Sequence, residues 1–499
     1  MIEYILSEKL QKTTNSSKIN KSDEISEFID EILQTGNSSY KLDNNEYIDW
    51  INSPEFMLNQ IEGINKFVNK VKNYKRFVFI GIGASTIIPR LMSSNSNFIF
   101  LDGTEPNLPE ILIKDYESTL VFIISKNGKT LETRTMMNQY IQLILDHKGG
   151  FKYQENMVAI TDHGSELYEF AIENNFMEVF SNLKNTSGRF SPISFSGLIP
   201  AAISGIDIKN LLENIIKFKK DLEDNKESRE KIIIIINTIQ KLLSSNINIF
   251  RLISQNKNDP KIIWIQQMIS ESLAKNKKFI IPILGEHNNY SKFSDNLDII
   301  FNDKINYSKN STETNSIIFE DVNPQTEYYG SFIYSIMIII SALSYIEKKN
   351  PYTQPNVEKT KTYLTNSKLP SYINNKVNIS NIKYASFLFF VKDKNILEKN
   401  INQTKVFMNS INVPIFIDIA PSYLHTTGEL HKNKCNAIHF LVHEEFSENI
   451  KINELNLNDI LAKQINAEIE IFSENKSKFI YVNSNNLIQI TKDIFKGKL

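Results

Sequence analysis

Four apolar runs set the first constraint on this chain: FVFIGIG (77–83), FIFLDG (98–103), TLVFIIS (119–125) and MVAITD (157–162). Each is too short for a helix, and longer amphipathic stretches separate them. Nearly continuous apolar character along a strand means that both its faces are covered, the condition of a parallel sheet between two layers of helices. The rhythm returns twice. A second unit opens at KIIIIIN (231–237) and continues through KFIIPILGE (278–286), NLDIIF (296–301) and SIIFE (316–320). A third offers SFLFFV (386–391), VPIFIDI (413–419), AIHFLV (437–442) and KFIYV (478–482). The 499 residues therefore read as an α/β chain in four segments. These are a polar, loosely attached helical lead-in (1–45), two α/β units (46–215 and 216–365), and a small C-terminal α/β lobe (366–499). No short repeat is visible, and two copies of one architecture in the first two units remain open.

Charge and cysteine content narrow the function classes. Lys and Arg number 56 against 57 Asp and Glu, without the basic excess of a chain that coats nucleic acid or acidic lipid. One cysteine, Cys435, excludes a disulfide framework and a cysteine zinc cluster, and fits a reducing cytoplasm. The most membrane-like stretch, SFIYSIMIIISALSYI (331–346), falls short of the ~20 residues a span needs and reads as a buried core helix. The N-terminal residues do not resemble a signal peptide, so a cytoplasmic protein without membrane contact is expected. Glycine is scarce: 16 residues, roughly 3% against a usual ~7%. A cluster of it therefore marks backbone that needs it.

Such clusters follow the strands. The first run leads into GIGAS (81–85), where Gly83 and Ser85 sit at the carboxyl end of a parallel strand and the amides of a following helix can receive an anion. A tight turn without a ligand remains the alternative, and Thr86 stands where a dinucleotide fingerprint needs its third glycine. The third run ends in SKNGKTLET (125–133). Ser125 and Thr130 flank a glycine ahead of a helix, a cradle for a phosphate monoester to which Lys126 or Lys129 adds charge; simple capping by Thr130 and Thr133 is the plainer reading. In SGRFS (187–191), Arg189 would face an anion if it points inward and water if it does not. In WIQQMISESLAK (264–275), Gln267 and Glu271 share a helix face. Among apolar neighbours that carboxylate would be pushed toward the range of a general base, although helix carboxylates are usually solvated. NPYTQPNVEKTK (350–361) reads as a loop feeding a helix.

Together these segments resemble the glucose-6-phosphate isomerase family, most of all the isomerase half of bacterial fusions with transaldolase. The resemblance runs from about residue 49 to 361 and resumes at PSYLHTTGELHK (421–432), leaving the first forty and last fifty residues unmatched. GIGAS is similar to the family's GIGGS, with Ala84 in place of a glycine. SKNGKTLET is similar to SK[ST]GTTLET, keeping Ser125, Lys126, Thr130 and Thr133 while Asn127 and Lys129 replace hydroxyl residues. SGRFS is similar to GGRYS, which implies that Arg189 stabilises an enediolate, with Ser187 as a departure. QMISES is similar to QLIAES, implying Glu271 as the proton-shuttling base and Gln267 as a substrate contact. QPNVEKTK is similar to QPxVExxK, implying Gln354 as a second contact and Lys361 as the active-site lysine. YLHTTGELHK implies His425 as the ring-opening histidine, with His431 and then His287 as alternatives, and puts Glu429 where the family has glutamine.

The resemblance implies two flavodoxin-like sugar-isomerase (SIS) domains, αβα sandwiches with parallel sheets, plus the C-terminal lobe, in a homodimer. It implies reversible isomerisation of glucose 6-phosphate and fructose 6-phosphate through a cis-enediolate, with a sugar phosphate as partner and no metal or redox cofactor. Three rivals stand beside it: a sugar-phosphate sensor of this fold with little or no turnover, an isomerase that also accepts mannose 6-phosphate, and a nucleotide-binding oxidoreductase.

Overall fold

The computed structural model describes residues 3–15, 20–35, 48–103, 115–147, 152–224, 227–256, 258–275, 279–286, 296–302, 314–320, 322–364, 373–374, 382–391, 394–411, 413–433, 436–444, 451–452 and 455–496. Its frame is three five-stranded sheets. In the first, Phe98–Leu101, Arg76–Ile80, Thr119–Ile124, Met157–Asp162 and Glu178–Asn182 lie side by side in that order, all parallel. Numbered along the chain the order is 2-1-3-4-5, the doubly wound flavodoxin-like arrangement. Its switch point falls between Arg76–Ile80 and Thr119–Ile124, so the loops leaving those two strands open side by side at the carboxyl edge.

The other sheets repeat the order through four strands. Ile281–Glu286, Ile249–Ser254, Asn296–Asn302 and Asn315–Glu320 are parallel, and Tyr4–Leu6 takes the fifth place antiparallel to Asn315–Glu320. Ile415–Ile419, Tyr384–Phe390, Ala437–His443 and Lys478–Asn483 are likewise parallel, with Ile373–Asn374 antiparallel at the edge. In the third sheet the fifth place is filled from just before the first parallel strand, whereas in the second it is filled from the N-terminal segment, with the whole first sheet between.

Two expectations change here. The N-terminal residues are helical over Glu8–Asn15 and Ser22–Thr35, but not loosely attached: Tyr4–Leu6 is a sheet strand, and Leu10, Ile25, Phe28 and Ile29 are buried in the core shared with the first two sheets. Arg229 fastens the segment further through Asp30 at 2.7 Å. KIIIIIN lies inside the helix Glu227–Ser244, not in a strand. Isoleucine favours strands through packing on a half-buried pleated surface. Here Ile232, Ile235, Ile236 and Ile239 are buried between the N-terminal helices and the helix Tyr329–Ile346, and that burial decides the outcome. The strands Ile249–Ser254 and Glu178–Asn182 were not anticipated. Tyr329–Ile346 is long and apolar enough to cross a bilayer by length and composition, and 89% of it is buried inside the protein.

Candidate active site

The loops at the first sheet's switch point border an open cavity of about 820 Å³, lined on its other sides by helices of the second unit and by the C-terminal lobe. GIGAS turns from the strand Arg76–Ile80 into the helix Ala84–Leu91 through Gly83 at φ +60°. A Cβ at Gly83 would stand 2.5 Å from the carbonyl oxygen of His425, so this glycine admits the C-terminal lobe against the first sheet. Ser85 lines the cavity. In the next loop Ser125 accepts the amide of Gly128 at 3.2 Å, and Asn127 accepts that of Lys129 at 3.0 Å. Ser125, Lys126, Asn127 and Thr130 all line the cavity. Thr133 lies one turn deeper, buried, with its hydroxyl unpaired among the described residues. The Lys126 ammonium donates to the carbonyl of Thr186 at 2.8 Å; burial lowers its pKa, while Asp162 and Asp49 oppose that.

The opposite wall is buried and ionic. Arg189, 2% exposed in the short turn Gly188–Phe190, donates from Nη1 to Glu271 at 2.8 Å, from Nε to Ser272 at 2.9 Å, and from Nη2 to the carbonyl of Pro351. Trp264, two turns before Glu271 on the helix Pro260–Ser272, holds that turn by donating to the carbonyl of Arg189 at 2.9 Å. Glu271 is 1% exposed. It also accepts from Gln354 at 2.5 Å and from Gln267 at 3.5 Å, and Gln267 reaches the carbonyl of His425 at 2.7 Å. Burial pushes the Glu271 carboxyl up to about 7, against the pull of Arg189 and Gln267; the carboxylate of Glu429 adds to the rise. Burial also lowers the Arg189 pKa, with Glu271 and Glu429 opposing.

Of the sequence candidates, Ser85, Ser125, Lys126, Asn127, Thr130, Arg189, Gln267, Glu271, Gln354 and His425 line one cavity. Gly83 backs it and Thr133 sits behind it. His431 is elsewhere: fully buried in the C-terminal lobe, with Nε2 2.9 Å from Asp418. Lys361 belongs to the helix Pro355–Thr362, but its side chain lies outside the described residues, as do His287 and Cys435. Among the described residues, no group of three or more His, Cys, Asp and Glu is arranged to hold a metal ion.

Sequence reasoning missed Lys275, which lies in the bend beyond the end of the helix Pro260–Ser272, where helical spacing gives no signal. Lys275 donates to the carbonyls of Asn350 and Thr353, the latter at 2.7 Å, and so pins the loop that presents Gln354. Burial and Arg189 lower its pKa to about 7, with Glu429 and Glu271 opposing. Glu429 takes the amides of Asn356 and Val357 at 3.1 and 3.3 Å, capping Pro355–Thr362 with the charge sign that a helix start favours. The departure from glutamine therefore has a use in this chain. Ala84 is accommodated as well: its methyl lies where Gly188 has no side chain to oppose it.

The chain is thus a doubly wound α/β protein in which loops of the first sheet, the helix Pro260–Ser272 and the turn Ser422–His425 surround one cavity. Two solved structures share this fold. A Thermus thermophilus protein described as hypothetical aligns with a TM-score of 0.59 at 18% identity, covering 72% of this chain and 98% of its own. A glucose-6-phosphate isomerase from Chlamydia trachomatis aligns with a TM-score of 0.53 at 15% identity, covering 71% and 84%. In sequence, the chain is similar to curated glucose-6-phosphate isomerases. It is 30% identical to that of Methanocaldococcus jannaschii over 234 residues, 45% of this chain and 56% of the relative. With that of Mycoplasmopsis pulmonis it shares 28% over 298 residues, 55% and 67% of the two chains. Against the Cyanothece sp. protein the match is 30% over 193 residues and covers 36% of the relative, so the alignment spans about half or less of the first relatives' length. No family model matches the chain.

Proposed function

We propose that the chain interconverts glucose 6-phosphate and fructose 6-phosphate. The observation that carries this reading is Glu271 at the cavity wall: a carboxyl pushed up to about 7 by burial, with the Arg189 guanidinium 2.8 Å away. A base with a pKa near the working pH removes a carbon-bound proton and also returns it. Starting from the aldose, Glu271 takes the proton from C2 of the open-chain sugar, and the C2–H electron pair becomes the C1–C2 double bond. The carbonyl π pair moves to the C1 oxygen, giving a cis-enediolate whose charge Arg189 stabilises. Glu271 then returns the proton to C1 while the C2 hydroxyl passes its proton to the C1 oxygen and becomes the carbonyl. Atoms and charge balance without a co-reactant.

On the other wall, Ser125, Thr130 and the amides that open the helix Leu131–His147 suit a phosphate monoester, with Lys126 nearby. Holding the phosphate there directs remote binding energy to positioning C1 and C2. In this reading His425 and Lys361 serve ring opening, Gln267 and Gln354 orient the sugar and the base, and the protein works as a homodimer.

The test is conversion of fructose 6-phosphate, read by coupling the product to a glucose 6-phosphate dehydrogenase. Wild-type turnover no greater than that of Glu271→Gln would sink the reading. Strong inhibition by excess EDTA, reversed by a divalent ion, would overturn the metal-free mechanism, and light scattering checks the dimer.

A further inference from the structure

The helix Leu457–Glu474 belongs to the C-terminal lobe. Its last residue is tied to the second unit: Glu474 takes the ammonium of Lys359 and the hydroxyl of Tyr363. Ten residues earlier, about 15 Å along the axis, Gln464 donates from Nε2 to Oε1 of Glu132 at 3.1 Å. Glu132 is the second residue of the helix that follows the 125–130 loop. One helix of the third lobe thus reaches from the side of the cavity bearing Pro355–Thr362 to the side bearing the phosphate-type loop, and both Lys463 and Gln464 line the cavity.

Two features of these residues call for a ligand. Gln464 is 3% exposed, and its Oε1 makes no hydrogen bond among the described residues. A carboxylate only accepts, so the amide must turn its NH₂ to Glu132, and the oxygen is the end left over. A buried acceptor without a donor is costly unless something in the cavity donates to it. Lys463 is half-buried and forms no hydrogen bond or ion pair within 4.0 Å among the described residues, although Glu358 lines the same cavity. Its neighbour in sequence touches the first turn of Leu131–His147, the positive end of that helix. Cationic charge near that end is favourable once an anion lies between them.

We propose that the C-terminal lobe completes the binding site: Lys463 pairs with the phosphate of the substrate across from the 125–130 loop, and the Oε1 of Gln464 accepts from a sugar hydroxyl. The proposal rests on the sugar-phosphate reading of the cavity. It gives the lobe a share in affinity and in the requirement for a phosphorylated ligand.

The test compares the full-length wild type with Lys463→Met, Lys463→Arg and Gln464→Met, measuring turnover of fructose 6-phosphate and calorimetric binding of fructose 6-phosphate and of inorganic phosphate. Lys463→Met should weaken both ligands about tenfold with kcat changed by less than about twofold, as expected for one lost charge-assisted contact. Lys463→Arg should recover most of the loss. Gln464→Met should weaken the sugar phosphate several-fold and leave inorganic phosphate unchanged. Wild-type affinity for both ligands in Lys463→Met and Gln464→Met overturns the proposal, and so does a fall in melting temperature with affinity intact, which would mark the contact as purely structural. A wild type that binds fructose 6-phosphate without turning it over, while Lys463→Met binds it more weakly, defeats the isomerase reading and upholds this one. Normal turnover with unaltered affinity in both variants does the reverse. A wild type that neither binds nor turns over the sugar phosphate overturns both.

Discussion

The two walls of the cavity face the same space under opposite conditions. The wall made by the 125–130 loop is partly open to water: Asn127 and Lys129 are exposed, Thr130 is half-buried, and Lys129 meets Glu166 only at 3.6 Å on the rim. The wall made by Arg189 and Glu271 is dry, with each side chain 1–2% exposed and each hydrogen bonded to several partners. An anion that arrives charged is met by hydroxyls and amides without a large desolvation cost to the protein. A base that must hold and release a proton near neutrality has to be taken out of water, and the charge opposite it keeps that burial tolerable. Under the proposed function the difference separates holding from reacting, and each prediction tests that separation.

The largest effect should come from the dry wall. Glu271→Gln keeps the shape and removes the base, so kcat should fall about 1000-fold or more with little change in KM. A fall of only a few-fold would move the proton transfer to another group. Arg189→Met should lower kcat about 100-fold or more. Removing one partner of a buried pair should also cost roughly 3–5 kcal/mol of stability, visible as a lower denaturant midpoint. If stability drops and turnover survives, Arg189 only neutralises Glu271.

On the wet wall, Ser125→Ala or Thr130→Ala should raise KM about tenfold while kcat moves much less. Equal losses in kcat would mean that the two walls are not separable.

The smallest effect concerns pH. Glu271 must be ionised to act, so kcat/KM should fall with acid around an apparent pKa of about 7. Arg189, Gln267, Lys275 and Glu429 are the groups that act on it. Glu429→Gln removes a like charge and should move that limb to lower pH by less than about one unit. Stability carries the opposite signature. The folded-state value lies above the 4.5 of a free glutamate, so the native state holds this proton more tightly than the unfolded chain does. The contribution of Glu271 to stability is therefore full below pH 4.5 and is lost as pH rises through about 7. The stability difference between wild type and Glu271→Gln should shrink or change sign across that window, as chemical denaturation at several pH values would show.

What the sequence disclosed follows the range of the forces involved. Strands buried on both faces are legible because their apolar runs are local, and GIGAS and SKNGKTLET because turn chemistry is local as well. KIIIIIN misleads because its helix depends on what covers Ile232 and Ile236 from both sides, which no window along the chain contains. Glu271 and Gln267 announce themselves by helical spacing, whereas Lys275 lies past the end of that helix and carries no such mark. The contact of Gln464 with Glu132 joins residues 332 positions apart, so neither segment carries a local mark of it. Burial, which sets the pKa of Glu271, is a property of the assembled walls.

The strand Tyr4–Leu6 has a practical meaning for anyone handling the protein. It covers the outer backbone edge of Asn315–Glu320, and Ser7 continues the seal by donating to the carbonyl of Thr314 at 2.9 Å. Trimming these residues, or crowding them with a bulky fusion partner, would bare a run of unpaired peptide groups beside Ile317 and Phe319, the kind of edge on which neighbouring copies stick together.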